Sequence, residues 1–194
     1  MFKELFNEKK AAQVAAFFLI RANASLSILK LMKLMYLAER RSFESYGEGM
    51  VGDRLVSMPH GPVLSITYNH MSGELISTSG GWDSWISDRA EHALSLNDVK
   101  RNATVDDLLE LSDADITVLE EVWKKFGNMN QYQLRDYTHN GGCPEWQDPD
   151  GSMIPMKPEE LFKALNFSPE QSDAYIARMK QQAVINAAHL SSAH

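Results

Sequence analysis

Apolar residues crowd the first predicted helix, which covers about residues 9–23 and contains the run AAQVAAFFLI. They surround nearly the whole helix circumference, a pattern typical of a helix in the centre of a globular core. The run also imitates a signal peptide, because two lysines precede it and small residues follow at positions 22–24. We expect a core helix instead, because Glu4 and Glu8 lie in the would-be basic region and the run is too short to span a bilayer.

The second predicted helix covers about residues 26–46 and ends at Gly47. Leu, Met and Ala side chains fill one arc, and the opposite stripe, expected to face solvent, holds Lys30, Lys33, Arg40, Arg41 and Glu44. Glu39 falls inside the apolar arc, where an unpaired carboxylate is costly. Two explanations stay open: Glu39 pairs with Arg54 or His60, or it lies near the helix end, where this face reaches water.

Shorter elements are predicted after Gly47. Residues 53–57 form a short strand or extended loop. Pro62 opens a third helix over residues 62–71, since proline favours the first helical turn. A loop rich in Gly, Pro and Asp follows much later, over residues 141–155.

A small β-hairpin is predicted from residues 82–88 and 92–96, with its turn near Arg89-Ala90. Trp82 and Trp85 both fall on the first strand. Because side chains alternate between the two faces of a strand, the two rings cannot both face inward easily. Core packing is the default expectation, and the alternative is that one ring is exposed for a partner.

The rest of the chain is predicted to be helical. Capping boxes open helices after Thr104, Ser112 and Ser168. The helix after Ser168 runs to about Leu190 and has a narrow, Ala-rich apolar stripe of Ile176, Met179, Ala183, Ala187 and Leu190. This stripe packs on its own domain or on a second chain. Short helices are also expected at residues 131–139 and 158–165.

These elements define a mainly α fold of the α+β class, a compact helical domain with a small β-hairpin. The length of 194 residues fits a single domain over residues 1–194, with residues 168–194 as a possible accessory interaction segment. The net charge of −7 repels phosphate, which disfavours general nucleic-acid binding, and no basic recognition helix is evident. A single cysteine indicates a reduced, cytoplasmic protein, and no membrane association is expected.

Cys143 and His139 are the residues with the most obvious catalytic potential. A thiol and an imidazole with an acid nearby suit nucleophilic catalysis, so a small hydrolase or transferase using His139 and Cys143 is the alternative function. A variant of it uses His60 with Glu39. The glycines at 141 and 142 break any helix between the two residues, and no oxyanion-hole motif is visible. No metal-ligand spacing or nucleotide-binding fingerprint occurs, so neither metal nor cofactor is expected.

The segment from residue 28 to 68 carries the most specific motifs. They are Lys30-Leu31-x-Lys33-Leu34-x-Tyr36, Gly52-Asp53-Arg54 and Met58-Pro59-His60-Gly61-Pro62-Val63. Later motifs are Leu111-Ser112-x-Ala114-Asp115, Val122-Trp123-x-x-Phe126-Gly127, Thr138-His139, Pro144-Glu145-Trp146 and Ile154-Pro155. Together they resemble the Panacea domain, the SocA-like antitoxin family of bacterial and phage (often prophage) type II toxin–antitoxin systems. The resemblance covers about residues 9–165.

The resemblance implies a protein that is not an enzyme. It implies an antitoxin that binds and neutralises a toxin protein encoded beside it, and in some relatives also delivers the toxin to a ClpXP-type protease. We expect Arg54, His60, Tyr68 and Trp146 to contact the toxin, and Glu39, Gly61 and Pro62 to have structural roles. Exposed hairpin tryptophans or the last helix would support a homodimer.

Overall fold

The computed structural model describes residues 2–23, 25–89 and 92–192. The α-helices are α1 (Glu8–Ala22), α2 (Ile28–Tyr46), α3 (Ser65–Met71), α4 (Asp113–Phe126), α5 (Gln131–Tyr137), α6 (Pro158–Ala164) and α7 (Pro169–Ser192). The strands are β1 (Leu26–Ser27), β2 (Leu55–Met58), β3 (Gly61–Leu64), β4 (Ile86–Arg89), β5 (Ala93–Leu96) and β6 (Ile154–Pro155). They form two antiparallel sheets, in the orders β1-β5-β4 and β3-β2-β6. The expectation of a mainly helical α+β fold is confirmed.

Helix α1 lies in the core, as its apolar circumference predicts. Its residues from Ala11 to Leu19 are all buried, and it packs against α2, α4 and β5. The Asn7 side chain caps the helix by accepting a 3.0 Å hydrogen bond from the backbone N–H of Lys10. No helix among the described residues is long and apolar enough to cross a membrane.

Helix α2 ends at Gly47 in the left-handed conformation (φ 70°), as predicted, but its polar stripe does not face solvent throughout. Lys33 is fully buried, and Lys30, Arg40 and Arg41 are partly covered. The prediction of a solvated stripe was wrong because α4 and α5 both pack on α2, a contact between distant parts of the chain that helical periodicity does not report.

Residues 55–64 form a β-hairpin. The sequence analysis predicted a short strand or extended loop over residues 53–57 but missed the second strand. Pro62 lies in β3, opposite Ser57 of β2, so the prediction that it opens a helix was wrong; α3 begins at Ser65 instead. A proline is tolerated here because β3 is an edge strand of its sheet. The predicted loop over residues 141–155 contributes β6 to the other side of β2.

The predicted hairpin is present: β4 pairs with β5, with Ile86 opposite Leu96. Its predicted turn includes Ala90, which lies outside the described residues. Trp82 and Trp85 are both buried, which confirms the default expectation of core packing and rules out the alternative of one exposed ring. Trp82 belongs to a 3-10 turn before β4 and is therefore not bound by strand alternation.

Helix α7 packs on its own chain. Ile176, Met179 and Ala183 of its predicted stripe are buried, and the helix contacts α6 and the N-terminal 3-10 turn Lys3–Leu5. The Leu190 side chain lies outside the described residues. The capping box of Ser112 and Asp115 at the start of α4 is confirmed.

Candidate functional site

An open groove of about 1060 Å³ lies where the start of α2, the β2–β3 hairpin, α3 and the loop before β6 meet. Its lining is mostly apolar and includes Ile28, Leu29, Met32, Met58, Pro59, Val63, Met71, Ala93 and Met153. The polar residues of the lining are Lys33, His60, Tyr68, Ser72, His92 and Ser152. Its size is at the top of the usual range for small-ligand pockets.

Two of the four predicted partner contacts line this groove. His60 lies in the turn between β2 and β3 and is exposed. Tyr68 comes from α3 and is half-buried at the groove wall. The hairpin and the short helix that follows it therefore bring the two side chains to the same surface.

Trp146 and Arg54 lie outside the lining. The Trp146 indole N–H donates a 3.1 Å hydrogen bond to the Met58 carbonyl, and its ring stacks on His139 with centroids 4.2 Å apart. Trp146 thus supports the groove wall from behind, since Met58 lines the groove. Arg54 is exposed just before β2, at the opposite end of that strand from the His60 turn.

Lys33 ties α2 to this hairpin. Its ammonium donates a 2.8 Å hydrogen bond to the Pro62 carbonyl, and burial lowers the pKa of Lys33 to about 7. A Cβ on Gly61 would stand 2.9 Å from Lys33 Nζ and 2.6 Å from Thr138 Oγ1, and Gly61 has a φ of 98°. Both the close approach and the backbone conformation therefore favour glycine at this turn.

A second buried link joins α2 to the loop that carries Trp146. The Tyr36 hydroxyl donates to Glu145 Oε1 at 2.7 Å, and Arg40 Nε donates to the same oxygen at 2.8 Å. Burial, together with the Glu145 carboxylate, raises the pKa of Tyr36 well above its usual value. Among the described residues, Glu145 Oε2 is buried without a hydrogen-bond partner.

Glu39 forms a third link, and neither explanation offered for it was right. Its carboxylate accepts backbone N–H groups of Val51 at 2.8 Å and Gly52 at 3.0 Å, and it is fully buried rather than solvated. Burial raises the pKa of Glu39 to about 7 against the lowering effect of these N–H donors. The predicted partners, Arg54 and His60, are both exposed.

The neighbouring Asp53 explains the Gly52-Asp53-Arg54 motif. Its carboxylate accepts from the backbone N–H groups of Ile66 at 2.9 Å and Thr67 at 2.7 Å, and from the Thr67 hydroxyl at 2.7 Å. These donors lie in the first turn of α3, so Asp53 caps that helix from a distant position in the sequence. The cap fixes the helix that presents Tyr68.

The arrangement around Cys143 does not support thiol chemistry. Cys143 is 2% exposed, and burial together with the Glu145 carboxylate raises its pKa to about 12. The thiol therefore stays protonated at neutral pH and is not a nucleophile. Burial and Lys33 lower the pKa of His139. Within the described part of the chain, no group of three or more His, Cys, Asp or Glu side chains is arranged to hold a metal ion.

The groove methionines are the candidate functional residues that the sequence analysis missed. Met32, Met58, Met71 and Met153 come from α2, β2, α3 and the loop before β6. No spacing in the sequence relates these four positions. Only Met58 could have been singled out from the sequence, because it is the first residue of the motif that contains His60.

Comparison with known families identifies the class of protein that this fold and site belong to. The model of the family described as "Antitoxin SocA-like, Panacea domain" matches residues 31–147, which is more than half of the chain. The chain therefore belongs to this family, as its motifs indicated, although the match is shorter than residues 9–165. No curated protein and no solved structure matches the chain. Membership of the family supports an antitoxin role, which is a role without catalysis.

Proposed function

We propose that this chain is an antitoxin that neutralises a toxin protein encoded beside it by forming a direct complex, and that the groove bearing His60 and Tyr68 is the contact surface. The observation that carries the proposal is the groove itself. It is concave, open and mostly apolar with a few polar side chains, as binding surfaces usually are, and most of its lining lies within the family-matched residues.

The other two expected contacts have different parts in the proposal. Trp146 acts indirectly, by holding the wall at Met58. Arg54 belongs to a second, separate contact near the start of β2. Loss of Trp146 would therefore alter the groove, whereas loss of Arg54 would leave it intact.

Accessory roles are proposed for α7. Its inner face packs on the chain, but Val184 and Ile185 on its outer face are exposed. A ClpXP-type protease, to which the antitoxin delivers its toxin, or a second copy in a homodimer would meet this outer face. The hairpin tryptophans do not serve as a dimer surface, because they are buried.

The test is a growth assay in cells that express the neighbouring gene with or without this chain. We expect the neighbour alone to stop growth and the wild-type chain to restore it. Tyr68→Ala should restore growth poorly, whereas Tyr132→Ala, at an exposed tyrosine of α5 outside the groove, should restore it fully. A harmless neighbour that forms no complex with the chain would contradict the proposal.

A further inference from the structure

The charge of the groove differs from that of the whole chain. The chain has 26 acidic residues and a net charge of −7. None of the described lining residues is Asp or Glu, and the ionisable side chains there are Lys33, His60, Tyr68 and His92. A carboxylate brought into the groove would meet hydrogen-bond donors, whereas a lysine or arginine would meet no opposite charge.

The apolar part of the lining is rich in methionine. Four of the chain's 10 methionines line it: Met32, Met58, Met71 and Met153. Met32 and Met71 are buried in its floor, and Met153 is 51% exposed at its mouth. Methionine side chains are flexible and polarizable, so such a surface adapts to apolar side chains of several shapes.

The walls present side chains rather than a free strand edge. β2 is paired on both sides, by β3 and by β6. The outer edge of β3 is taken up by α2, since the Pro62 carbonyl accepts from Lys33 and the Leu64 N–H donates to Met32 Sδ, so neither strand offers a ladder to an added strand. A helix needs no such ladder, because its backbone hydrogen bonds are internal. The groove therefore suits the apolar face of a helix better than an extended peptide.

We propose that the groove binds an amphipathic helix of the toxin, with its apolar face against the four methionines and with acidic residues beside that face. This inference rests on the proposed antitoxin function and specifies the segment that is recognised. A basic helix is excluded from the groove because none of the described lining residues offers a carboxylate to offset the desolvation of its lysines and arginines.

The charge of the bound helix is tested by substitutions at Met153. Because this side chain is half exposed, the fold should tolerate either an acidic or a basic residue there. Met153→Glu should weaken the complex with the product of the neighbouring gene by about tenfold or more, and Met153→Lys by much less. Leu109→Glu, at a residue 86% exposed outside the groove, should leave affinity unchanged. Equal or reversed effects of the two Met153 variants would overturn the inference.

The location is tested with the protein labelled by 13C at its methionine methyl groups. On addition of the same gene product, we expect the signals of Met32, Met58, Met71 and Met153 to move, while those of Met50 and Met179, buried elsewhere, stay in place. Overlapping peptides of the toxin should locate binding in one segment with apolar residues at helical spacing and no net positive charge.

The possible failures are distinguishable. If the wild-type complex forms but the groove signals do not move, the docking inference is overturned and the antitoxin function stands. If the same four signals move on concentrating the protein alone, the occupant is a second copy of this chain and the inference is overturned. If no complex forms, the proposed function fails and the inference fails with it.

Discussion

The Tyr36 hydroxyl donates a 2.7 Å hydrogen bond to the Glu145 carboxylate, which joins α2 to a loop more than 100 positions away in the sequence. Two other residues of the same helix act alike: Lys33 donates to the Pro62 carbonyl, and Glu39 accepts from the backbone N–H groups of Val51 and Gly52. The widely spaced motifs of this family thus meet as buried hydrogen bonds on a single helix. They hold in place the hairpin that forms one wall of the groove.

The buried ion pair of Arg40 and Glu145 should contribute far more to stability than an exposed one. The Glu145 side chain is 0% exposed, so Glu145→Ala leaves the Arg40 guanidinium partly buried without its partner. We expect a loss of about 3 kcal/mol in the free energy of unfolding. Urea denaturation measures it.

The control for this prediction is Glu121→Ala. Glu121 pairs with Arg41 at the same 2.8 Å, but its side chain is 50% exposed. The loss there should be below about 1 kcal/mol. Similar losses in the two variants would show that the ion pair of Arg40 and Glu145 is not buried.

Gly61 should tolerate alanine worse than another glycine with a similar backbone. Gly61→Ala brings a methyl group against Thr138 and Lys33 in addition to the strain of a positive φ. We expect a loss of about 2–3 kcal/mol. Gly73→Ala, at a φ of 74° with no described atom within 4 Å of the new Cβ, should lose about 1 kcal/mol. Equal losses, measured by thermal unfolding, would contradict the tight contact at Gly61.

Lys33 should make the protein more stable as the pH rises above 7. Its pKa is about 7 when folded against an ordinary value of 10.5, so between these values the unfolded chain binds more protons. The free energy of unfolding should therefore rise with a slope approaching about 1.4 kcal/mol per pH unit. The measurement is urea denaturation between pH 7.5 and 8.5, comparing the wild type with Lys33→Met, which should lack this contribution.

Two other ionisable groups limit the measurement to the range between pH 7.5 and 8.5. Glu39, with a folded pKa of about 7 against 4.5, lowers stability as the pH rises from 4.5 to 7. Cys143, with a folded pKa of about 12 against 9.0, lowers it above pH 9. An equal slope in the wild type and Lys33→Met within the window would show that the lysine is not buried.

Cys143 should resist alkylation in the folded protein. Its thiol is buried and its pKa is raised to about 12, so almost no thiolate is present at pH 8. Mass spectrometry after iodoacetamide treatment should show an unmodified native protein and complete modification in urea. Reaction of the native protein at the rate of a free thiol would restore the nucleophilic alternative.

Local sequence rules account well for the helices. The apolar circumference of α1, the stop of α2 at Gly47 and the capping box at Ser112 depend on residues close in sequence, and all three are confirmed. The second strand of the hairpin around His60 was missed because proline at residue 62 suits a helix start and an edge strand equally.

The site was less predictable than the fold, for a physical reason. The partners of Lys33 and Glu39 are backbone groups, which every residue has and which no sequence pattern marks. The groove collects methionines from four separate elements, so the packing of those elements creates it. Of the four partner contacts expected from the resemblance, the structure places His60 and Tyr68 on one surface and Arg54 and Trp146 outside it.

The central claim is that the groove binds the toxin, and the most direct measurement is calorimetric titration of the neighbouring gene's product into three forms of this protein. The wild type and Tyr132→Ala should bind with equal affinity. Tyr68→Ala should bind at least about tenfold more weakly, because Tyr68 is a wall residue of the groove. Its circular dichroism spectrum at the assay temperature should match that of the wild type, because the side chain is only half-buried. Equal affinity of all three forms would contradict the claim and place the toxin on another surface.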